Sequence, residues 1–187
     1  MITTNDDEIY KRLLKLRWVG ISKDTWSREG ADSSGYSWYY NVEELGFKYH
    51  MNDIAAAIGR VQLGKLDQAN SRRRALSRRY SEGFVHLPEI ETPTLKPHMT
   101  KPACHNYVIK YRDRDGLNAH LKDAGISTGV HYVPSNHYDM YRGYRGPTPV
   151  CDDVWRRLLT LPLYPDLEDS QVDHIITKVK EYVERRR

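Results

Sequence analysis

Glu44 to Asp67, ELGFKYHMNDIAAAIGRVQLGKLD, joins a short aromatic and basic loop to a helix, and the rest of the chain is read outward from it. Ile54, Ala57, Ile58 and Val61 stand at i, i+3, i+4 and i+7, the stripe of a helix packed along one side. Ala55, Ala56, Ala57 and Gly59 leave room for a second backbone to come close. Asn52 is the expected N-cap, and Asp53 a first-turn partner of the helix dipole. Lys48, Tyr49 and His50 immediately precede that end, where free N–H groups and the positive pole of the helix favour an anion.

On the N-terminal side, MITT reads as the end of a strand. Asn5 followed by Glu8 resembles a capping box opening a helix with Ile9, Leu13 and Leu16 on one face. Residues 20–40 lack periodicity and read as an irregular surface loop whose aromatics, Trp26, Tyr36, Trp38, Tyr39 and Tyr40, form a contact surface. On the C-terminal side, a separate helix is expected from about Asp67 to Gly83, with Leu76 and Tyr80 inward, followed by a segment punctuated by Pro88, Pro93, Pro97 and Pro102. His105 to Tyr111 alternates as a strand. Asp113 to Ala124 reads as a helix with Leu117, Leu121 and Ala124 inside and Gly125 ending it. Thr128 to Val133 is expected to be another strand, and Val172, Ile175, Ile176, Val179 and Val183 mark a last helix. Alternating helices and short strands place the chain in the α/β or α+β class, with no internal repeat.

The chain has 187 residues, 39% of them hydrophobic and 29% charged, enough for one good core or two small ones. No apolar run approaches the roughly 20 residues that cross a bilayer, and the N-terminus has no apolar signal core. These features exclude a membrane span and point to the cytoplasm. Cys104 and Cys151 are too few and too far apart for a disulfide framework or a metal knuckle, and both read as ordinary thiols. The net charge of +4 and pI near 9.0 raise the possibility of nucleic acid, with arginines clustered at 72–74, 78–79 and 185–187. Those clusters read instead as solvated helix faces and a frayed tail, so no nucleic-acid partner is expected.

The stretch LGFKYHMNDIAAAIGRVQLGKLD resembles the loop and helix of the DegT/DnrJ/StrS group of sugar aminotransferases, which use pyridoxal 5′-phosphate (PLP). The resemblance continues in order through HNYVIKY (105–111), the helix ending in DAGI (123–126), TGVHYVP (128–134) and LPLYPDL (161–167), and covers nearly the whole chain. It implies the C-terminal portion of an aspartate-aminotransferase-type (fold type I) PLP transferase, an α/β fold that is helix-rich with a small sheet. Residues 1–68 would complete the large PLP-binding domain with its dimer-interface loop and helix; residues 69–187 would form the connecting helix and a small α/β domain. The activity implied is amino transfer, with glutamate as donor, to a keto group on a nucleotide-linked sugar, in a homodimer or with a missing N-terminal half. The family's Schiff-base lysine, its pyridine-nitrogen carboxylate and its stacking aromatic precede the matched region. No catalytic residue is therefore assignable, and the chain alone is not expected to transaminate. The alternative is a non-catalytic dimerisation or interaction module derived from the family.

Site residues follow from matched motifs only. In the family loop, commonly GYNYRM, the Asn reaches the cofactor phosphate of the other subunit and the Arg lies nearby; Lys48 and His50 stand there here. Both keep hydrogen-bond donors, and both are candidate cofactor-binding residues. The structural alternative is a solvated Lys48 with His50 packed on Tyr49. His131 and Tyr132 match the family's HY at the substrate cleft, with His131 a hydrogen-bonding or proton-handling group. Ser135 and Asn136, followed by His137, form a polar loop that would touch the sugar. His131 and His137 lack a third ligand at useful spacing, so no metal is expected. Trp18, in LRWVGI, stands where the family often has a His before the Gly, and would cover the cofactor region sterically.

Overall fold

The computed structural model describes residues 2–21, 40–144 and 146–187. Trp26, Tyr36, Trp38 and Tyr39 of the expected aromatic loop lie outside the described residues. The chain divides into two compact units, Met1–Leu63 and Gly64–Arg187.

In the first unit, helix α1 spans Asp7–Leu16. Its cap is Asp6, one residue later than the sequence reading placed it: the Asp6 carboxylate accepts from the Glu8 and Ile9 amides at 2.9 and 3.0 Å. Residues 2–4 are not in a strand. After α1 the chain turns through Val19 and Gly20, both at positive φ, and runs back beside residues 42–49. Phe47 N–H donates to Leu16 O at 2.6 Å, Val19 N–H to Phe47 O at 3.0 Å and Tyr49 N–H to Arg17 O at 2.9 Å. Two glycines make this approach possible. A Cβ on Gly20 would lie 1.8 Å from Glu44 O, and one on Gly46 would lie 2.1 Å from Gly20 N. Lys15 also forms an ion pair with Glu43, and Arg12 one with Glu44 at 3.0 Å.

Helix α2 runs unbroken over Asp53–Phe84. The expected break near Asp67 is absent: Gly59 and Gly64 each sit in open space with no close neighbour, and a helical Gly costs only about 1 kcal/mol, too little to end a helix rich in Ala, Arg and Leu. Asn52 is its cap as expected, accepting from Ala55 N–H at 2.8 Å. The apolar stripe of the first turns stays exposed, Ile54 at 75% and Ile58 at 60%.

The second unit holds the core. Strands β1 (Tyr107–Lys110) and β2 (Leu158–Leu161) pair antiparallel, Tyr107 opposite Leu161 and Lys110 opposite Leu158. Single-residue bridges, Glu91 to Lys110 and Gly129 to Thr160, extend this sheet on its two edges. Helices α3 (Arg114–Asp123), α4 (Pro149–Val154) and α5 (Asp169–Glu184) complete the unit. Leu76, Tyr80 and Phe84 of α2, Ile109 of β1, Leu117 and Leu121 of α3, Leu159 and Leu161 of β2, and Val172, Val179 and Val183 of α5 pack into one cluster. The α5 spacing read from the sequence is the spacing that is buried. The strand expected over 128–133 is reduced to Gly129, because the backbone leaves the sheet after one bridge and Pro134 has no N–H to continue a ladder.

Asp113 organises the far end of this unit. Its carboxylate caps α3 at Gly116 N–H (3.2 Å), accepts from Tyr182 Oη at 2.6 Å and pairs with Arg186. The arginine clusters are likewise occupied. Arg79 makes two 2.6 Å bonds to Asp173, Arg72 meets Asp169 at 2.7 Å and Arg187 meets Glu89 at 2.7 Å.

Candidate functional site

In an extended segment successive side chains alternate between faces, and residues 47–50 obey this. Phe47 and Tyr49 stack on one face, ring centroids 5.0 Å apart and 7° from parallel. Lys48 and His50 occupy the other. Trp18 is bridged antiparallel to Lys48, which sets the two side chains together on that face. The Lys48 ammonium lies 3.4 Å from the centroid of the indole ring, and the His50 ring meets Trp18 edge-on, centroids 4.1 Å apart. His50 thus packs on Trp18, whereas Tyr49 stacks with Phe47. Lys48 is exposed, and among the described residues no carboxylate pairs with it. Burial, the Lys48 charge and Arg17 together push the His50 imidazole below its ordinary pKa. Trp18 Nε1 and His50 Nδ1 are buried without a hydrogen-bond partner among the described residues.

In the second unit, His131 is exposed but anchored. Its Nδ1 lies 2.8 Å from Oγ1 of Thr160, a largely buried residue of β2. Gly129 leaves the ring room, since a Cβ there would lie 3.0 Å from His131 Cε1. Tyr132 is exposed, its ring edge-on to His131 at 4.9 Å. Ser135 and Asn136 begin a single turn of 3₁₀ helix, Ser135–His137. Asn136 Nδ2 donates to Thr148 Oγ1 at 2.8 Å, and Thr148 Oγ1 donates to Asp152 Oδ2 at 3.0 Å. His137 Nε2 sits 2.6 Å from Asp152 Oδ1, which holds the Asp152 carboxyl below the usual carboxylate range. Much of the polarity of this turn is spent on fastening it to the start of α4. Sequence reasoning did not find Thr160, Thr148 or Asp152, because the contacts that give them a role span 12 to 29 residues.

An open groove of about 630 Å³ lies elsewhere in the second unit, lined by Gly125, Ile126, Pro162, Tyr164, Gln171 and His174, and includes none of the candidate cofactor- or substrate-binding residues. Among the described residues no group of three His, Cys, Asp or Glu side chains is placed to hold a metal ion. No described helix is long and apolar enough to cross a membrane.

Residues 1–180 match the model of the DegT/DnrJ/EryC1/StrS aminotransferase family. The chain belongs to this family. All of it aligns at 37% identity with an uncharacterized protein of Methanocaldococcus jannaschii, covering 50% of that protein. Some 98% of it aligns at 35% identity with the spore coat polysaccharide biosynthesis protein SpsC of Bacillus subtilis, covering 49% of that protein. Among solved structures it superposes on DesV of S. venezuelae, determined in complex with a ketimine intermediate, with a TM-score of 0.83 and 31% identity over 98% of this chain and 46% of that one. The chain thus spans about half the length of the curated relatives it matches. The fold is that of the C-terminal part of a PLP aminotransferase, helix-rich with a small two-stranded sheet.

The family is PLP-dependent, and another solved member is in its PMP form. The Met1–Leu63 unit fits the phosphate end of such a cofactor: an exposed cation that no carboxylate among the described residues pairs with, a neighbouring imidazole, and the N-terminal end of a 32-residue helix. The ring end of the cofactor has no assigned partner in this chain.

Proposed function

We propose that this chain is the C-terminal portion of a PLP-dependent aminotransferase that moves an amino group, with glutamate as donor, onto a keto group of a nucleotide-linked sugar. The family match over residues 1–180 carries the reading. When bound, PLP supplies the electron sink for the carbon–nitrogen chemistry; the residues of this chain position and neutralise. Lys48 and His50 hold the cofactor phosphate, Lys48 by charge and His50 as a neutral hydrogen-bonding group. His131, with Nδ1 engaged by Thr160, presents Nε2 to substrate, and Tyr132, Ser135 and Asn136 line the sugar side. Amino transfer by this reading needs the Schiff-base lysine carried by the other half of the family's length, either in a homodimer of a longer polypeptide or in a separate partner chain.

Co-expression with the N-terminal half of a family member tests the reading. The assembly should acquire the visible absorbance of a lysine-bound PLP and convert a nucleotide-linked keto sugar to its amino derivative, and His131→Ala should lower turnover. An assembly that forms yet gains neither absorbance nor product contradicts it. The exposed Ile54 and Ile58 stripe of α2 favours a second reading, a non-catalytic module that pairs with family members, and that same inactive assembly is the result it predicts.

A further inference from the structure

We propose that Trp18 is a positioning residue whose indole face fixes the Lys48 ammonium as the phosphate-facing cation and whose edge contact keeps His50 alongside it. The inference deepens the proposed cofactor-binding role of Lys48 and rests on it. A lysine on an exposed loop carries rotamer entropy that an anion must offset on binding. Here that freedom is already restricted. The antiparallel bridge sets Trp18 opposite Lys48, three backbone hydrogen bonds of 2.6 to 3.0 Å lock the register, and the ammonium rests 3.4 Å from the ring centroid. A cation over indole is the strongest of the aromatic pairings, and unlike a carboxylate the ring leaves the positive charge unneutralised, so the ammonium stays available to a phosphate. His50, two residues on, shares the face and closes on the same indole. One aromatic side chain therefore orders both candidate phosphate donors, which neither Phe47 nor Tyr49, stacked on the opposite face, can do.

The test uses the full chain with carbon-13-labelled lysine. The ε-methylene protons of Lys48, assigned by their loss in Lys48→Arg, should resonate upfield of the other lysines through the indole ring current. They should move into the common envelope in Trp18→Leu and stay partly shifted in Trp18→Phe, which keeps an aromatic face. The dissociation constant for pyridoxamine 5′-phosphate should rise about two- to fivefold in Trp18→Leu and recover towards the parent value in Trp18→Phe. Amide protection of Tyr49 serves as the fold control for each variant. An unshifted Lys48 resonance in the parent, or one that Trp18→Leu leaves in place with Tyr49 still protected, overturns the positioning role. A shifted, Trp18-dependent resonance with no response to pyridoxamine 5′-phosphate upholds the positioning and removes the phosphate reading, so the two fail separately.

Discussion

His131 and Thr160 are joined ring to hydroxyl at 2.8 Å, so an exposed imidazole takes its orientation from a core strand. The exposed face of the ring is left for substrate while the buried side is held, an arrangement that fixes which nitrogen can work. Thr160→Val should leave the Gly129 bridge intact, since that bridge uses Thr160 backbone atoms. The nitrogen-15 tautomer pattern of His131 should change, and the loss of stability should be about 1 kcal/mol. An unchanged tautomer pattern would show that Thr160 does not orient the ring.

Asp113 concentrates several stabilising contacts in one carboxylate. Hydrogen bonding from Tyr182 holds its pKa below the ordinary carboxylate value, opposing burial, while burial first and then the same contact push Tyr182 up to about 12. A carboxyl with a depressed folded-state pKa contributes stability that is complete above its unfolded pKa, about 3.9, and is lost as pH falls through the folded value. Asp113→Ala should lower stability near neutrality by about 1–2 kcal/mol for the lost α3 cap alone. Asp113→Asn should flatten the acid limb of the stability curve, measured by urea unfolding at a series of pH values.

The Gly20 and Gly46 approach leaves no space for a side chain. Gly46→Ala should distort the Met1–Leu63 unit at a cost of about 1–3 kcal/mol, because the obstructing atoms are backbone. Hydrogen exchange reads this locally: the Tyr49 amide, bonded to Arg17 O, should lose protection, while the Tyr111 amide, bonded to Arg157 O, should keep it. Equal loss at both amides would contradict a local effect.

His50 carries the pH sensitivity of the same corner. Its folded-state pKa lies below the unfolded value of 6.5, for reasons of burial first and then the Lys48 and Arg17 charges. The unfolded chain therefore binds the proton more readily, and stability present above pH 6.5 falls as the solution is acidified through the folded pKa. His50→Gln should remove that part of the acid slope. A carbon-13 titration of the imidazole giving a pKa at or above the unfolded value would refute the assignment.

The last helix was legible because Val172, Ile175, Ile176, Val179 and Val183 repeat at helical spacing and face one core. The Asn52 cap was legible from a local rule, whereas the α1 cap was displaced by one residue because Asn5 and Asp6 are both competent and the sequence alone does not say which carboxyl or amide turns inward. The separate helix expected from about Asp67 is part of one helix over Asp53–Phe84, because continuity is decided by hydrogen bonds that outweigh the cost of its glycines. Residues 128–133 have strand-like composition, yet tertiary pairing engages Gly129 alone. Within the candidate site, Lys48, His50 and His131 were named as candidates from motif position. Their partners were not, because Trp18 lies 30 positions from Lys48 in sequence and meets it only through the folded bridge, and Thr160 meets His131 in the same way.

Titration of the chain with pyridoxamine 5′-phosphate and, in parallel, with unphosphorylated pyridoxamine tests the central claim most directly, with the Lys48 and His50 resonances as reporters. The account predicts saturable shifts at both residues with the phosphorylated compound only, abolished in Lys48→Met with the fold retained. Shifts of equal size with both compounds, or none at Lys48 and His50 with either, would contradict it.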